Sequence, residues 1–159
     1  MIFIAVGTQK FPLDRLLSKF DDLIEKKLIT DEIFAQIGHC NYIPKYYQYQ
    51  KFLDKETFDK KIQDCDVLVT HSGVGTIISG LNNNKPIIVF PRLSKYGEHV
   101  DDHQLQIAES FSNLNYVLLC NENDNLLELL NKSKTHKFNK YISQRDNIIS
   151  TIQNYLDTL

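Results

Sequence analysis

The strongest constraint on the fold is the alternation of short apolar runs with stretches whose apolar residues recur at helical spacing. Ile2–Val6 is a continuous apolar run ended by a glycine, as expected for a strand buried on both faces of a parallel sheet. The other predicted strands are Ile33–Ile37, Tyr46–Phe52, Val67–Thr70, Pro86–Phe90 and Tyr116–Leu119. Strands alternating with helices imply βαβ units. We therefore predict an α/β fold with a mostly parallel sheet and helices on both faces.

Helical spacing marks the segments between these strands. The clearest helix follows Pro12, and its apolar face consists of Leu13, Leu16, Leu17, Phe20 and Ile24. Further helices are predicted around Phe58–Cys65, over Thr76–Leu81, from near Asp101, and around Leu126–Leu130. In the tail, residues 139–159, an apolar stripe predicts a helix that either docks on a partner or packs on its own domain. The stripe consists of Ile142, Ile149, Ile152, Leu156 and Leu159.

Composition predicts one globular domain over residues 1–159, with 42% hydrophobic and 24% charged residues. The formal net charge of −2 gives no basic excess, so we expect no nucleic-acid partner. The three cysteines, Cys40, Cys65 and Cys120, are widely spaced, which favours reduced thiols over a disulfide framework or a zinc site. No apolar run approaches the roughly 20 residues of a membrane span, and Met1–Val6 is too short for a signal peptide.

The loop Thr70–Thr76 is the segment most informative about function, since it follows a predicted strand and opens a helix. Ligands of parallel sheets bind beyond the carboxyl ends of the strands. Gly73 and Gly75 allow a ligand to approach the backbone, and free amides at a helix start suit a phosphate or diphosphate. The side chains that add polar groups are His71, Ser72 and Thr76. The alternative is an ordinary turn with a hydroxyl-bearing helix cap.

A second polar segment, Pro91–Gln104, follows the strand Pro86–Phe90. Its carboxylates and amides favour hydrogen bonds to a polyhydroxylated ligand, and Arg92 suits a phosphate. A metal site is the first alternative, because His99 and His103 would share one face of a helix that reached back to residue 99. A solvated helix start, capped by Asp101 or Asp102, is the second.

Three motifs in order resemble glycosyltransferase family 28: Val6–Gln9, His71–Thr76 and Asp102–Gln104. The resemblance covers roughly residues 1–130 and is strongest to the small catalytic subunits of two-part transferases. The run Tyr96–Gln104 is similar to bacterial exopolysaccharide and capsule subunits. A eukaryotic relative is the catalytic half of the UDP-N-acetylglucosamine transferase of the dolichol pathway.

This resemblance implies a Rossmann-like domain, the C-terminal, donor-binding half of a GT-B enzyme. The implied donor-binding residues are Gly7, Thr8, His71, Ser72, Gly73, Gly75, Thr76, Arg92, Asp101, Asp102, His103 and Gln104. The glycine loop would hold the diphosphate of a UDP-sugar, and residues 102–104 would face the sugar. The resemblance implies inverting transfer with no cofactor and no bound metal, the UDP-sugar being substrate. One departure is Ser79, which stands where many members use a glutamate to bind the ribose.

The resemblance also implies a membrane-anchored partner subunit that supplies a lipid-linked saccharide acceptor. The chain would then be a cytoplasmic protein recruited to the inner face of the cell membrane. The general base is expected in that partner, with Glu98 or His99 as the candidates within this chain.

We predict a UDP-sugar-dependent hexosyltransferase subunit of bacterial exopolysaccharide or capsule synthesis. Galactose is favoured as the transferred sugar, and N-acetylglucosamine and glucuronate are the alternatives. Two functions of other classes stay open. One is a non-catalytic module that binds sugar nucleotides and regulates a partner. The other is a metal-dependent hydrolase built on Glu98, His99, Asp102 and His103.

Overall fold

A computed structural model describes residues 1–143 and 152–159, and its centre is a six-stranded sheet. The strands are β1 (Ile2–Ala5), β2 (Ile33–Gln36), β3 (Gln48–Gln50), β4 (Val67–Thr70), β5 (Ile87–Val89) and β6 (Leu118–Leu119). Every neighbouring pair is parallel. The prediction of a parallel α/β sheet is confirmed.

Side chains of β1 alternate between two cores, one on each face of the sheet. Ile2 and Ile4 belong to the first core, and Phe3 and Ala5 to the second. Helices α1 (Asp14–Glu25) and α5 (Leu126–Ser133) cover the first core. Helices α2 (Lys55–Asp64), α3 (Val74–Asn82) and α4 (His103–Asn113) cover the second. A strand buried on both faces cannot show a polar–apolar alternation, which explains its continuous apolar sequence.

The strand order is β3-β2-β1-β4-β5-β6. Strands β2 and β3 are added on one side of β1, and strands β4, β5 and β6 are then added on its other side. The helices that follow β1 and β4 therefore lie on opposite faces, and a crevice opens between the two loops at the carboxyl edge. This is where a ligand site is expected on topology alone.

Two helix starts differ from the predicted ones. Helix α3 begins at Val74 rather than Thr76, so Gly75 lies in its first turn. Helix α4 begins at His103, two residues after Asp101, and its first turn does not include His99. A short 3-10 turn, Ser94–Tyr96, takes up the preceding segment and was not predicted. Residues 94–102 therefore do not continue α4 toward its amino end.

The tail is described in two parts. Ile142 is exposed, and so are Ile152 and Leu156 in a helical segment over residues 152–157. Ile149, the other internal member of the predicted stripe, lies outside the described residues. Docking of this stripe on a partner stays a prediction. In the part of the chain that the structure describes, no helix combines the length and apolar character needed to cross a membrane.

The two glycines of α3 should respond oppositely to alanine. A Cβ on Gly80 would lie 2.8 Å from methyl groups of Leu68 and Ile87, whereas one on Gly75 meets nothing within 4 Å. We expect Gly80→Ala to lower the free energy of unfolding by about 1–2 kcal/mol through overpacking. Gly75→Ala should leave it unchanged or raise it by up to about 1 kcal/mol. Urea unfolding measures both, and equal losses would contradict this packing.

Candidate functional site

The backbone after β1 and the backbone after β4 approach each other closely at the crevice. Gly7 has a φ of +83°, a conformation that favours glycine. A Cβ on Gly7 would lie 2.7 Å from Nε2 of His71, and one on Gly73 would lie closer still. The imidazole of His71 therefore lies between Gly7 and Gly73, and only glycine fits on either side of it.

His71 is held at its other ring nitrogen. Its Nδ1 lies 3.3 Å from the Ala5 carbonyl oxygen and 3.2 Å from the Thr70 hydroxyl, which itself donates to Ala5 over 2.6 Å. Burial, and secondly the charge of Arg92, lower the pKa of His71 to about 4. The ring is consequently neutral at physiological pH.

The start of α3 is open to a ligand. Gly73 occupies the N-cap position, and no side chain caps the helix. The first amides of a helix have no partner within it and carry its positive dipole end. Val74 and Gly75 are exposed, whereas the hydroxyl of Ser72 is buried without a hydrogen-bond partner in the described residues. This arrangement suits anionic oxygens.

Arg92 is buried and binds the loop that follows β1. Its Nη2 donates to the carbonyl oxygens of Val6 and Phe11 at 2.5 and 3.0 Å, and its Nε donates to Pro12 at 3.4 Å. Its Nη1 is buried with no partner in the part of the chain described. Burial lowers the pKa of Arg92. The guanidinium thus positions Gly7 from behind, and a direct phosphate contact stays a prediction.

Gln104 has a similar supporting position. It is buried, and its Oε1 accepts a hydrogen bond from the Arg92 amide at 3.1 Å. The first turn of α4 is thereby fixed to the segment that carries Arg92. Contact between Gln104 and a sugar stays a prediction.

Asp101, Asp102 and His103 form the exposed start of α4. Asp101 accepts from the His103 amide at 3.0 Å, so Asp101 and not Asp102 satisfies the helix start. Asp102 instead accepts from the Ser94 amide at 2.9 Å, and this bond lowers its pKa. The His103 side chain is 70% exposed, with Nδ1 3.2 Å from the Gln106 side-chain oxygen and Nε2 3.5 Å from a carboxylate oxygen of Asp101.

Glu98 is buried in an ion pair that the sequence analysis missed. Its carboxylate accepts from Nε and Nη2 of Arg15 at 3.1 and 2.9 Å, and from the Leu93 amide at 3.0 Å. The guanidinium carbon of Arg15 lies 4.4 Å from the Phe90 ring centroid and 4.7 Å from that of Tyr96. Three N–H donors hold the Glu98 carboxylate, and two aromatic rings pack against the Arg15 guanidinium. This cluster fixes the loop before α4.

In this geometry Glu98 supports the loop before α4, and the catalytic role of Glu98 or His99 stays a prediction. His99 packs 4.7 Å from the Phe11 ring, with Nδ1 3.3 Å from a carboxylate oxygen of Asp101.

The predicted four-residue metal set is not assembled, because Arg15 holds Glu98 and Ser94 holds Asp102. Among residues 1–143 and 152–159, no group of three or more His, Cys, Asp or Glu side chains is placed to hold a metal.

The structure thus divides the predicted residues into three groups. The crevice brings together Gly7, His71 and Gly73. The other predicted residues of this group follow them along the chain: Thr8, Ser72, Gly75 and Thr76. Arg92 and Gln104 are buried supports. Asp101, Asp102 and His103 form the helix start, and Ser79 lies half-buried within α3.

Replacing Arg15 should be costly. Arg15→Met leaves the Glu98 carboxylate buried without its charged partner, so we expect unfolding free energy to fall by about 3 kcal/mol. Lys55→Met is the control, because the Lys55–Asp59 pair is exposed and should contribute less than about 0.5 kcal/mol. Chemical denaturation measures both. Similar small losses would show that the Arg15 cluster does not fix the loop.

Comparison with known proteins gives consistent relatives. A model of the glycosyltransferase family 28 C-terminal domain matches residues 1–159. The UDP-N-acetylglucosamine transferase subunit ALG13 of Candida albicans is 30% identical over 99 residues, 62% of this chain and 32% of that protein. The Homo sapiens ALG13 subunit is 26% identical over 126 residues, 75% of this chain and 11% of that protein. The chain therefore spans about a third or less of these relatives.

Solved structures share the fold. The glycosyltransferase of kitacinnamycin superposes with a TM-score of 0.62 at 17% identity, over 85% of this chain and 35% of that one. MurG of Acinetobacter baumannii gives 0.58 at 15% identity, over 88% and 41%. At such identity the likeness concerns the fold alone, and it confirms the Rossmann-like prediction.

Proposed function

Because the chain belongs to glycosyltransferase family 28, as its C-terminal domain, we propose that it is the donor-binding, catalytic part of a UDP-sugar-dependent transferase. One observation carries this proposal. The uncapped start of α3 lies at the reversal of strand order, beside the glycine-flanked ring of His71. Free amides, a helix dipole and hydroxyl groups there suit the two phosphates of a nucleotide sugar.

The same groups suit the chemistry of transfer. As the bond between the sugar and the diphosphate breaks, negative charge grows on the leaving phosphate. Amides at residues 74–76 and the positive end of α3 are fixed before the reaction and stabilise that charge. We propose that this replaces a divalent metal. Transfer measured in the complete enzyme should then survive a chelator.

The donor is a UDP-hexose in this proposal. The similarity of Tyr96–Gln104 to bacterial exopolysaccharide and capsule subunits favours galactose. The names of the relatives in Candida albicans and Homo sapiens favour N-acetylglucosamine. Glucuronate is the third candidate. Titration of the chain with each of the three UDP-sugars separates them, with UDP and ADP as references.

A separate polypeptide would supply the acceptor site. This part of the proposal is supported by the ALG13 relatives, which are named as subunits of a transferase. We propose a membrane-anchored partner that presents a lipid-linked saccharide and draws this chain to the inner face of the membrane. The general base then comes from the partner, which agrees with the engagement of Glu98 by Arg15.

A valine at residue 75 should remove donor binding without unfolding the domain. A side chain there meets no protein atom within 4 Å, so it projects into the space assigned to the phosphates. We expect Gly75→Val to weaken UDP-sugar binding at least tenfold by calorimetry. Asn82→Val, at the exposed far end of the same helix, is the control. Unchanged affinity in a folded Gly75→Val protein would contradict the site.

His103 should discriminate the sugar from the nucleotide. We expect His103→Ala to lower the affinity for a UDP-sugar by up to about tenfold, which corresponds to the loss of one hydrogen bond. The affinity for UDP should fall by much less. His136→Ala is the control, because His136 lies beside Pro86 at the amino ends of the strands. Equal losses for UDP and UDP-sugar would remove His103 from the sugar site.

A binding-only role is the competing outcome. Donor binding with no transfer by the chain and its partner together would identify a regulatory module. Absence of UDP-sugar binding by the complete complex would refute the proposal.

A further inference from the structure

The hydrogen bonds of His71 assign its ring protons. The Ala5 carbonyl oxygen carries no hydrogen, so its 3.3 Å contact with Nδ1 is attractive only if Nδ1 carries the proton. The Thr70 hydroxyl gives its own proton to the same carbonyl at 2.6 Å and remains an acceptor toward Nδ1. In a neutral ring, Nε2 then bears a lone pair.

That lone pair faces the crevice. A Cβ on Gly7 would lie 2.7 Å from both Nε2 and Cε1, and one on Gly73 would lie 2.3 Å from Nε2, so this edge of the ring lies between the two loops that line the proposed diphosphate site. In the described part of the chain, no group donates to Nε2. A lone pair repels a phosphate oxygen, so the ligand-free ring is in the wrong protonation state for the ligand.

Two changes would place a proton on Nε2. The first moves the ring proton from Nδ1 to Nε2. This leaves a lone pair on Nδ1 facing the Ala5 oxygen at 3.3 Å and loses a hydrogen bond in a buried position. The second adds a proton from solvent, which keeps the bond to Ala5 and creates a cation beside the anion.

Resting on the proposed function, we propose that His71 takes up one proton from solvent when the UDP-sugar binds. The imidazolium then donates from Nδ1 to Ala5 and from Nε2 to the diphosphate. No covalent bond changes in this step. The net gain of one positive charge offsets part of the negative charge that the ligand brings.

The charges around His71 are consistent with a neutral ring in the free chain and a rise of its pKa when the ligand binds. Arg92, from the loop after β5, is the charged group that acts on His71, and with burial it keeps the free ring neutral. Cys40 and Glu98 act on Arg92 in turn. The segments around Gly7 and Gly73 add no ionisable side chain next to the ring. An opposite charge within about 4–6 Å raises the pKa of a histidine by about 1–3 units, and a diphosphate supplies two.

Calorimetry in buffers of different protonation enthalpy counts the protons taken up. The full chain is titrated with whichever of UDP-N-acetylglucosamine and UDP-galactose it binds, between pH 6 and 8.5. A UDP-sugar, unlike UDP, has no phosphate that titrates in this range. We expect uptake of about half a proton or more at pH 6, falling at pH 8.5, with affinity rising as the pH falls.

Variants identify the proton acceptor. His71→Asn should abolish the uptake and flatten the pH dependence of the affinity that remains. His99→Gln and His103→Gln should retain the uptake, since neither ring lies between Gly7 and Gly73. Uptake that disappears in His103→Gln and persists in His71→Asn would overturn the assignment.

A measurement on the ligand-free chain tests separately whether the ring proton of His71 lies on Nδ1. Nitrogen-15 NMR of His71 in the wild-type chain should show a protonated Nδ1 and an unprotonated Nε2 at pH 7. A protonated Nε2 in the free chain, or UDP-sugar binding with no proton uptake, would refute the inference while the proposed function stands. Absence of UDP-sugar binding by the chain and by its complex would refute the proposed function, and the inference with it.

Discussion

The guanidinium of Arg92 joins the segment after β5 to the loop after β1, which forms one side of the crevice. It donates to carbonyl oxygens of Val6, Phe11 and Pro12, and its own backbone amide is held by Gln104. Within the described residues no carboxylate pairs with it directly. Moving an arginine from water into a protein interior is unfavourable unless its hydrogen bonds are made. Those carbonyls are therefore strongly held, and the path of the chain after β1 follows from them.

The cluster of Arg15 and Glu98 fixes a second loop, the one before α4, nearer the surface. Arg15 links α1 to Glu98, and Glu98 in turn holds the Leu93 amide. Arg92 thus fixes the loop after β1 from inside, and Arg15 fixes the loop before α4 from outside. By contrast, the start of α3 has no side-chain cap, and the Ser72 hydroxyl beside it has no partner within the described residues. This distribution separates residues that build the site from residues that can meet a ligand.

The strands and the glycine loop were predictable because their signals are local. Buried parallel strands are apolar throughout, as in Ile2–Val6, and an open helix start requires small residues such as Gly73. The Arg15–Glu98 pair gave no such signal, because its members are 83 residues apart in sequence. The sequence predicts a functional role for Arg92, but the direction of its guanidinium depends on carbonyl oxygens that only the folded loop after β1 presents. Likewise, the start of α4 at His103 follows from hydrogen bonds of Glu98 and Asp102 to the preceding loop, and from the distant Arg15–Glu98 pair, rather than from helical periodicity.

The fit of the His71 ring between two glycines also constrains which sequences this fold can explore. A Cβ at residue 7 or 73 collides with the imidazole and not with the backbone of the sheet. The collision at either position is thus conditional on the residue at 71. At residue 73 a smaller side chain at 71 removes it, whereas an alanine at residue 7 would still be strained by the backbone φ of +83°. Residues 71 and 73 form an epistatic pair, in which a change at 71 must come first for Gly73 to become replaceable, while Gly7 stays restricted by its backbone conformation. A lineage that keeps the histidine is held to both glycines.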